Sequence, residues 1–260
     1  MRSKSALLVA TFLLLIAALA DAASVAEIKA RKKLIVLSHP DPLGFLYETA
    51  PGKYDGLDVA IMKTLSNDLG VALEIKALAN FKDLIPALLD GQGDVIASSM
   101  TITKEREKLV SFSDPYFPVV MMIVVPKNSN ISKEEDLTAK KCSLTLGTIM
   151  EDRMKSVKGV QFVDAEDSTA QFEAVSQGKA DFAVFDSSSA IGNIHKYPDL
   201  KMAFHFPEHF DYGFAVPQNS DLRDAINRHL KDMNETGALR TMIRRYLGDR
   251  AFELLELIKD

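Results

Sequence analysis

The chain has 260 residues, of which 47% are hydrophobic and 26% charged, and its formal net charge is −5. This composition is ordinary for a folded globular protein and excludes a disordered chain. The acidic balance and the lack of any Lys/Arg-rich run exclude the basic face of a nucleic-acid binder. A chain of this length forms one large domain or two of about 100–150 residues.

Arg2 and Lys4 precede a near-continuous apolar run from Ala6 to Ala20, which leads into Ala20-Asp21-Ala22. A basic start, a short apolar stretch and a small-x-small site are the parts of a cleavable secretory signal peptide over residues 1–22. The run is shorter than the roughly 20 residues of a comfortable membrane span. Removing Arg2, Lys4 and Asp21 takes the charge from −5 to −6. The mature protein is expected to be soluble and exported. Cys142 is the single cysteine, so no internal disulfide forms, and its alternating apolar segment (Cys142, Leu144, Leu146) makes it a small buried residue.

Leu34–Leu37 reads as a short strand running into a loop at Ser38-His39-Pro40. Pro51-Gly52-Lys53 is a turn. Ile61, Met62, Leu65 and Leu69 recur at helical spacing from Asp58 onward, and Gly70 stops that helix. Val71, Leu73, Ile75 and Ala77 alternate as a strand. Thr103 is placed to cap a helix over Lys104–Leu109. The unbroken run Val119–Val125 reads as a buried strand that also crosses between lobes. Beyond it come a strand at Ser143–Leu146, a Gly147-Thr148 turn, a helix through Met154 and Val157, and a strand at Phe162-Val163. His205–Val216 carries the chain back. Helices follow at Leu222–Met233, Leu239–Leu247 and Phe252–Ile258.

The segments 84–98 and 171–185 align as two copies of one unit. Ala87 pairs with Ala174, Gly91 with Gly178 and Asp94 with Asp181. Each copy is an apolar-faced helix, a glycine that ends it in a left-handed conformation, and a short apolar strand. The strands end in Ser99 and Asp186. Two similar lobes, each delivering polar groups at the carboxyl end of a strand, place a ligand in the cleft between them. The fold is therefore α/β and two-lobed. Because helices continue after the second lobe, the first is discontinuous: residues 23–120 with 213–260, against 121–212.

Catalytic motifs are missing: there is no Gly-rich phosphate loop, HExxH, GxSxG or CxxC. His205 and His209 have metal-like spacing, but Phe206-Pro207 between them spoils a helical site. Neither a metal nor a cofactor is expected. Ser98, Ser99, Thr101 and Arg106 follow a strand end and together suit a carboxylate, which a guanidinium grips through two parallel bonds. Arg106 also reads as an ordinary solvated helix charge. Asp186 reads as a ligand group or as the cap of the next helix. Phe81 reads as core or as a cleft wall. Gly147-Thr148 precedes a helix whose free N–H groups favour an anion.

The stretches YDGLDVAIMKTLSNDLGV and FKDLIPALLDGQGDVIASSMTITKEREKLVSFSDPYF closely resemble the amino-acid type of periplasmic solute-binding proteins that serve ABC importers. Weaker similarity runs on through LGT, FAVFD and the closing helices. The same superfamily holds glutamate-receptor binding domains, sensor-kinase modules, murein transglycosylases and a cyclohexadienyl dehydratase. The resemblance implies two lobes joined by a two-strand hinge and a periplasmic monomer that hands a free amino acid to a permease. It implies that Arg106 grips the ligand α-carboxylate, with Thr101, Thr148 and the backbone near Ser99 assisting. Asp186 then pairs with the α-ammonium, and Phe81 and Phe45 line or cover the side chain.

This chain departs from that pattern in three places. His39 stands where relatives that bind Lys or Arg carry an acid. Pro42 replaces an aromatic residue, and Ile149 and Met150 follow Thr148. With no carboxylate evident to meet a cationic side chain, the expected ligand is a polar amino acid that is neutral or acidic. His39 is either a donor to its carboxylate or amide, or a surface loop residue. A non-enzymatic binder is the leading expectation. A dehydratase-like lyase acting on cyclohexadienyl or arogenate substrates, and a ligand-sensing domain, are the alternatives.

Overall fold

The structure is a computed structural model that describes residues 23–41, 44–249 and 251–252. The expected signal peptide, Pro42 and most of the Phe252–Ile258 helix lie outside the described residues. The described residues open with α1 (Val25–Ala30), started by a reciprocal Ser24–Glu27 capping box that sequence reasoning missed. Next come β1 (Lys33–Ser38), the hairpin β2 (Tyr47–Ala50) and β3 (Lys53–Asp55), α2 (Leu57–Leu69), β4 (Ala72–Ala77), α3 (Leu84–Leu89) and β5 (Val95–Ile96). A single turn of helix, α4 (Lys104–Glu107), precedes β6 (Val110–Phe112) and the long β7 (Phe117–Pro126). The expected helix to Leu109 is thus cut short by a strand. Beyond lie β8 (Lys141–Leu144), α5 (Ile149–Lys155), β9 (Gln161–Asp164), α6 (Ser168–Ser176), β10 (Phe182–Asp186) and α7 (Ser187–Asn193). The chain closes through β11 (Leu200–Tyr212), β12 (Ala215–Pro217), α8 (Leu222–Glu235) and α9 (Ala238–Leu247).

Two five-stranded sheets form the two lobes. Their orders are β4-β1-β5-β12-β6 and β11-β7-β10-β8-β9. Read from opposite ends, they share one pattern. One strand, β1 or β8, lies parallel between two neighbours, and two antiparallel pairings complete each sheet.

The aligned sequence copies occupy matching places in this scheme. Gly91 and Gly178 both have φ +70°. The Ala87 carbonyl accepts from Gln92 N at 3.0 Å, and the Ala174 carbonyl from Lys179 N at 2.8 Å. Asp94 takes the Ile35 N–H at 2.7 Å and Asp181 takes the Lys141 N–H at 2.8 Å, so each aspartate pins the neighbouring parallel strand.

Both faces of each sheet are covered. In β7, Met121, Ile123 and Val125 join one apolar cluster while Met122 and Val124 join the other. That double burial explains an unbroken apolar run in place of an alternating one. Cys142 is buried on β8, and burial pushes its thiol well up, which leaves it unreactive.

Two segments cross between the sheets, after β6 and before β12. They bond to each other through Tyr116 N to Tyr212 O at 3.0 Å and Ser113 N to Phe214 O at 2.9 Å. Tyr116 stacks on Phe214 with centroids 4.4 Å apart. Among the described residues no helix is long and apolar enough to cross a membrane.

Candidate functional site

The carboxyl ends of β1 and β5 meet at the cleft and are tied together. The Ser98 hydroxyl accepts from His39 N at 3.0 Å and donates to His39 O at 3.2 Å. The His39 ring spans the cleft, with Nδ1 3.1 Å from Leu78 O and Nε2 3.1 Å from Glu166 O. Both nitrogens therefore face protein carbonyls. The ring bridges the two lobes at the cleft that it also lines. Ser99 adopts φ +42°, and its N–H donates to Asp58 Oδ2 at 2.8 Å. The backbone donor expected to assist a ligand carboxylate is thus already spent. Asp58 is fully buried and also accepts from the Tyr116 hydroxyl at 2.6 Å. Burial pushes its carboxyl up to about 7, against the pull of those two hydrogen bonds.

Arg106 stands on α4, whose first turn is held by the Thr103 side chain accepting from Arg106 N at 3.2 Å. Its Nη1 donates to Thr101 O at 2.8 Å. Its Nη2 reaches Gly147 O on the other lobe at 3.3 Å. The guanidinium lies 5.4 Å from the Phe81 ring centre. Burial draws its pKa down to about 10, with the Asp186 and Asp152 charges pulling the other way, so it stays charged at neutral pH. A guanidinium has five N–H donors, and two are committed here, which leaves donors for a carboxylate in the cleft.

From the second lobe, Asp186 ends β10. It occupies the cap position of α7 but makes no side-chain cap bond. Its Oδ1 is buried without a hydrogen-bond partner among the described residues. Burial pushes this carboxyl up to about 7, while the Tyr212 hydroxyl and the Arg106 charge lower it and the Asp41 charge raises it. Asp41, just beyond β1, accepts from Ser168 Oγ of α6 at 2.5 Å through Oδ2. Its Oδ1 is likewise buried and unpartnered. Burial pushes Asp41 up to about 6, with the Ser168 bond opposing. The Thr148 hydroxyl donates to Thr145 O at 2.7 Å, and the Gly147 N–H is taken by Glu151 at 2.6 Å, so the turn before α5 offers fewer free donors than its sequence implied.

His39, Phe45, Phe81, Ser98, Ser99, Thr101, Arg106, Thr148 and Asp186 all line one cleft, which encloses about 730 Å³ including its open mouth. Phe45 is largely buried and meets Phe117 and Tyr212 edge-on, so it serves core and wall together. The cleft also draws on Asp41, Ser168 and Gln171, which sequence reasoning missed. Asp41 thus brings a second carboxylate, beside Asp186, to the cleft lining. It stands two residues beyond His39, between two prolines in the sequence, and bridges to Leu46. His205 and His209 lie on β11, with a register shift between them, and the His205 ring bonds to Phe206 O at 3.1 Å.

The sequence profile of the bacterial extracellular solute-binding proteins, family 3, matches residues 34–249. The arginine-binding extracellular protein ArtP of Bacillus subtilis is 31% identical over 223 residues, covering 83% of this chain and 86% of the relative. A mutant ArgBP from T. maritima superposes with a TM-score of 0.81 at 34% identity, covering 86% of this chain and 99% of that one. The ancestral amino acid-binding protein AncCDT-1, described as a precursor of cyclohexadienyl dehydratase, gives 0.79 at 31% identity over 86% of this chain and 99% of its own. The chain spans about half the length of the membrane-bound lytic murein transglycosylases F that it also matches.

Proposed function

The chain belongs to the bacterial extracellular solute-binding proteins, family 3, and we propose that it captures a free polar amino acid outside the cytoplasm for delivery to an ABC importer. The observation that carries this reading is the pair Arg106 and Asp186. The two come from different lobes and line one cleft, with an unpartnered carboxylate oxygen on Asp186. Arg106 takes the α-carboxylate and Asp186 the α-ammonium, with Thr101, Thr148 and Ser99 around the carboxylate and Phe45 and Phe81 along the side chain. Ser98 and His39 shape the floor.

A ligand touching both lobes favours the closed arrangement to the extent that it binds that arrangement better than the open one. The moving bodies are residues 23–120 with 213–260 and residues 121–212, turning on the crossing strands as a monomer without a cofactor. The arginine named in the ArtP description, and bound in a solved ArgBP, supports an amino-acid ligand. Of the neutral and acidic side chains the sequence favours, an acidic one meets two carboxylates and one guanidinium, which counts against it. Micromolar affinity corresponds to about −8 kcal/mol, within reach of two charge-assisted contacts and aromatic packing.

A lyase reading has its own support. Asp186 and Asp41 are held near 7 and 6, where a carboxyl gives and takes protons readily, and AncCDT-1 is described as the precursor of a dehydratase. Calorimetric titration of the purified chain with the twenty amino acids, followed by assay of prephenate and arogenate for turnover, separates the two. Capture requires one saturable site and unchanged compounds. Turnover above background puts the lyase first.

A further inference from the structure

We propose that Asp41 forms the side-chain end of this site and selects an amino acid whose side chain carries a positive charge. The inference rests on the capture reading and adds the ligand class. Three observations carry it.

The Ser168 hydroxyl occupies Asp41 Oδ2 and so fixes the carboxylate, leaving Oδ1 buried with no hydrogen-bond partner among the described residues, in a cavity that Asp41 lines. An unpaired buried carboxylate oxygen is costly, and a donor that enters with the ligand removes that cost.

The second observation is charge balance. The carboxylates and guanidinium lining the cleft among the described residues are Asp41, Asp186 and Arg106, with the His39 imidazole beside them. An amino acid offers one carboxylate to Arg106 and one ammonium to Asp186. Asp41 then has no partner among the ligand's α-groups, and a cationic side chain supplies one. A neutral side chain leaves the anion unmatched, and an acidic one adds repulsion.

The third observation is the wall. Phe81 and Phe45 line the cavity with Asp41, and the aliphatic stem of a long basic side chain packs on such rings with its head at a carboxylate. Asp41 carries its charge at neutral pH, since its carboxyl is held near 6. The acid thus sits beyond β1, bridged to Leu46 and two residues past His39.

The test is calorimetric titration of the full chain, stripped of co-purified ligand, with L-arginine, L-lysine, L-citrulline, L-glutamine and L-glutamate. Wild type is expected to bind arginine or lysine at least about tenfold more tightly than citrulline or glutamine, the size of one hydrogen bond to a charged group. In Asp41→Asn, which keeps the shape and the acceptor for Ser168, the arginine-to-citrulline affinity ratio should fall by about 10- to 100-fold. An unchanged ratio makes Asp41 a latch between lobes only and overturns the inference. So does a wild type that prefers neutral or acidic ligands, a result that leaves capture itself standing and decides the matter even if the variant fails to fold. A wild type that binds none of the five, nor any other amino acid, overturns capture and this inference with it.

Discussion

Ser168 donates to Asp41 at 2.5 Å across the cleft, joining residues 127 apart in sequence, one opening α6 and the other just beyond β1. A bond of this length between the lobes would be lost if they parted. Removing it should therefore act on the closed state alone. Ser168→Ala is expected to weaken ligand binding by about 0.5–1.5 kcal/mol, through faster release, while the melting temperature of the ligand-free chain stays put. Stopped-flow release and thermal melts of both proteins check this.

Arg106 has more to lose. It is proposed to pair with a carboxylate in a desolvated cleft, so Arg106→Ala should cost on the order of 2–5 kcal/mol of binding. Calorimetry decides. Binding within threefold of wild type would mean that the carboxylate is held elsewhere.

Gly147 has φ +81°, and a Cβ added there would lie 2.5 Å from Lys82 Cβ on the opposite lobe. Gly147→Ala should then cost about 1 kcal/mol of fold stability from the backbone and, separately, hold the lobes apart. The expected signature is a loss of ligand affinity larger than the loss of stability. Equal losses would show that the lobes do not need to close this far.

The pH dependence has two opposite signs. Asp186 must be ionised to hold an ammonium, and its carboxyl sits near 7. Amino-acid affinity should accordingly fall as pH drops below about 7, approaching tenfold per unit. Stability runs the other way. Asp58, near 7 when folded, has an ordinary value of 3.8. The folded state therefore keeps a proton that the unfolded chain has released between about pH 4 and 7. That contribution is complete below the lower value and is lost as pH rises through the upper one. The melting temperature of the free chain should decline over this window, and decline less in Asp58→Asn. A slope equal in both proteins would remove Asp58 from the account.

Local rules made much of this architecture legible. The paired glycines at 91 and 178 need a left-handed backbone, and only a helix ending there supplies it. The matched aspartates at 94 and 181 follow from the same geometry. Arg106 and Asp186 were readable as polar groups at strand ends and through family resemblance. What stayed hidden depends on partners distant in sequence. Asp58 looked like an ordinary acid opening a helix, because its partner Tyr116 is 58 residues away. Asp41 was obscured because its meaning comes from Ser168. The spent donors at Ser99 and Gly147 could not be read either, since a free N–H and an occupied one have the same sequence.

Small-angle scattering of the purified chain, with and without a saturating amino acid, tests the central claim most directly. Capture by closure predicts a smaller radius of gyration with ligand. It also predicts that the compaction shrinks in Asp186→Asn at matched ligand concentration. The same radius with and without a bound amino acid would contradict it.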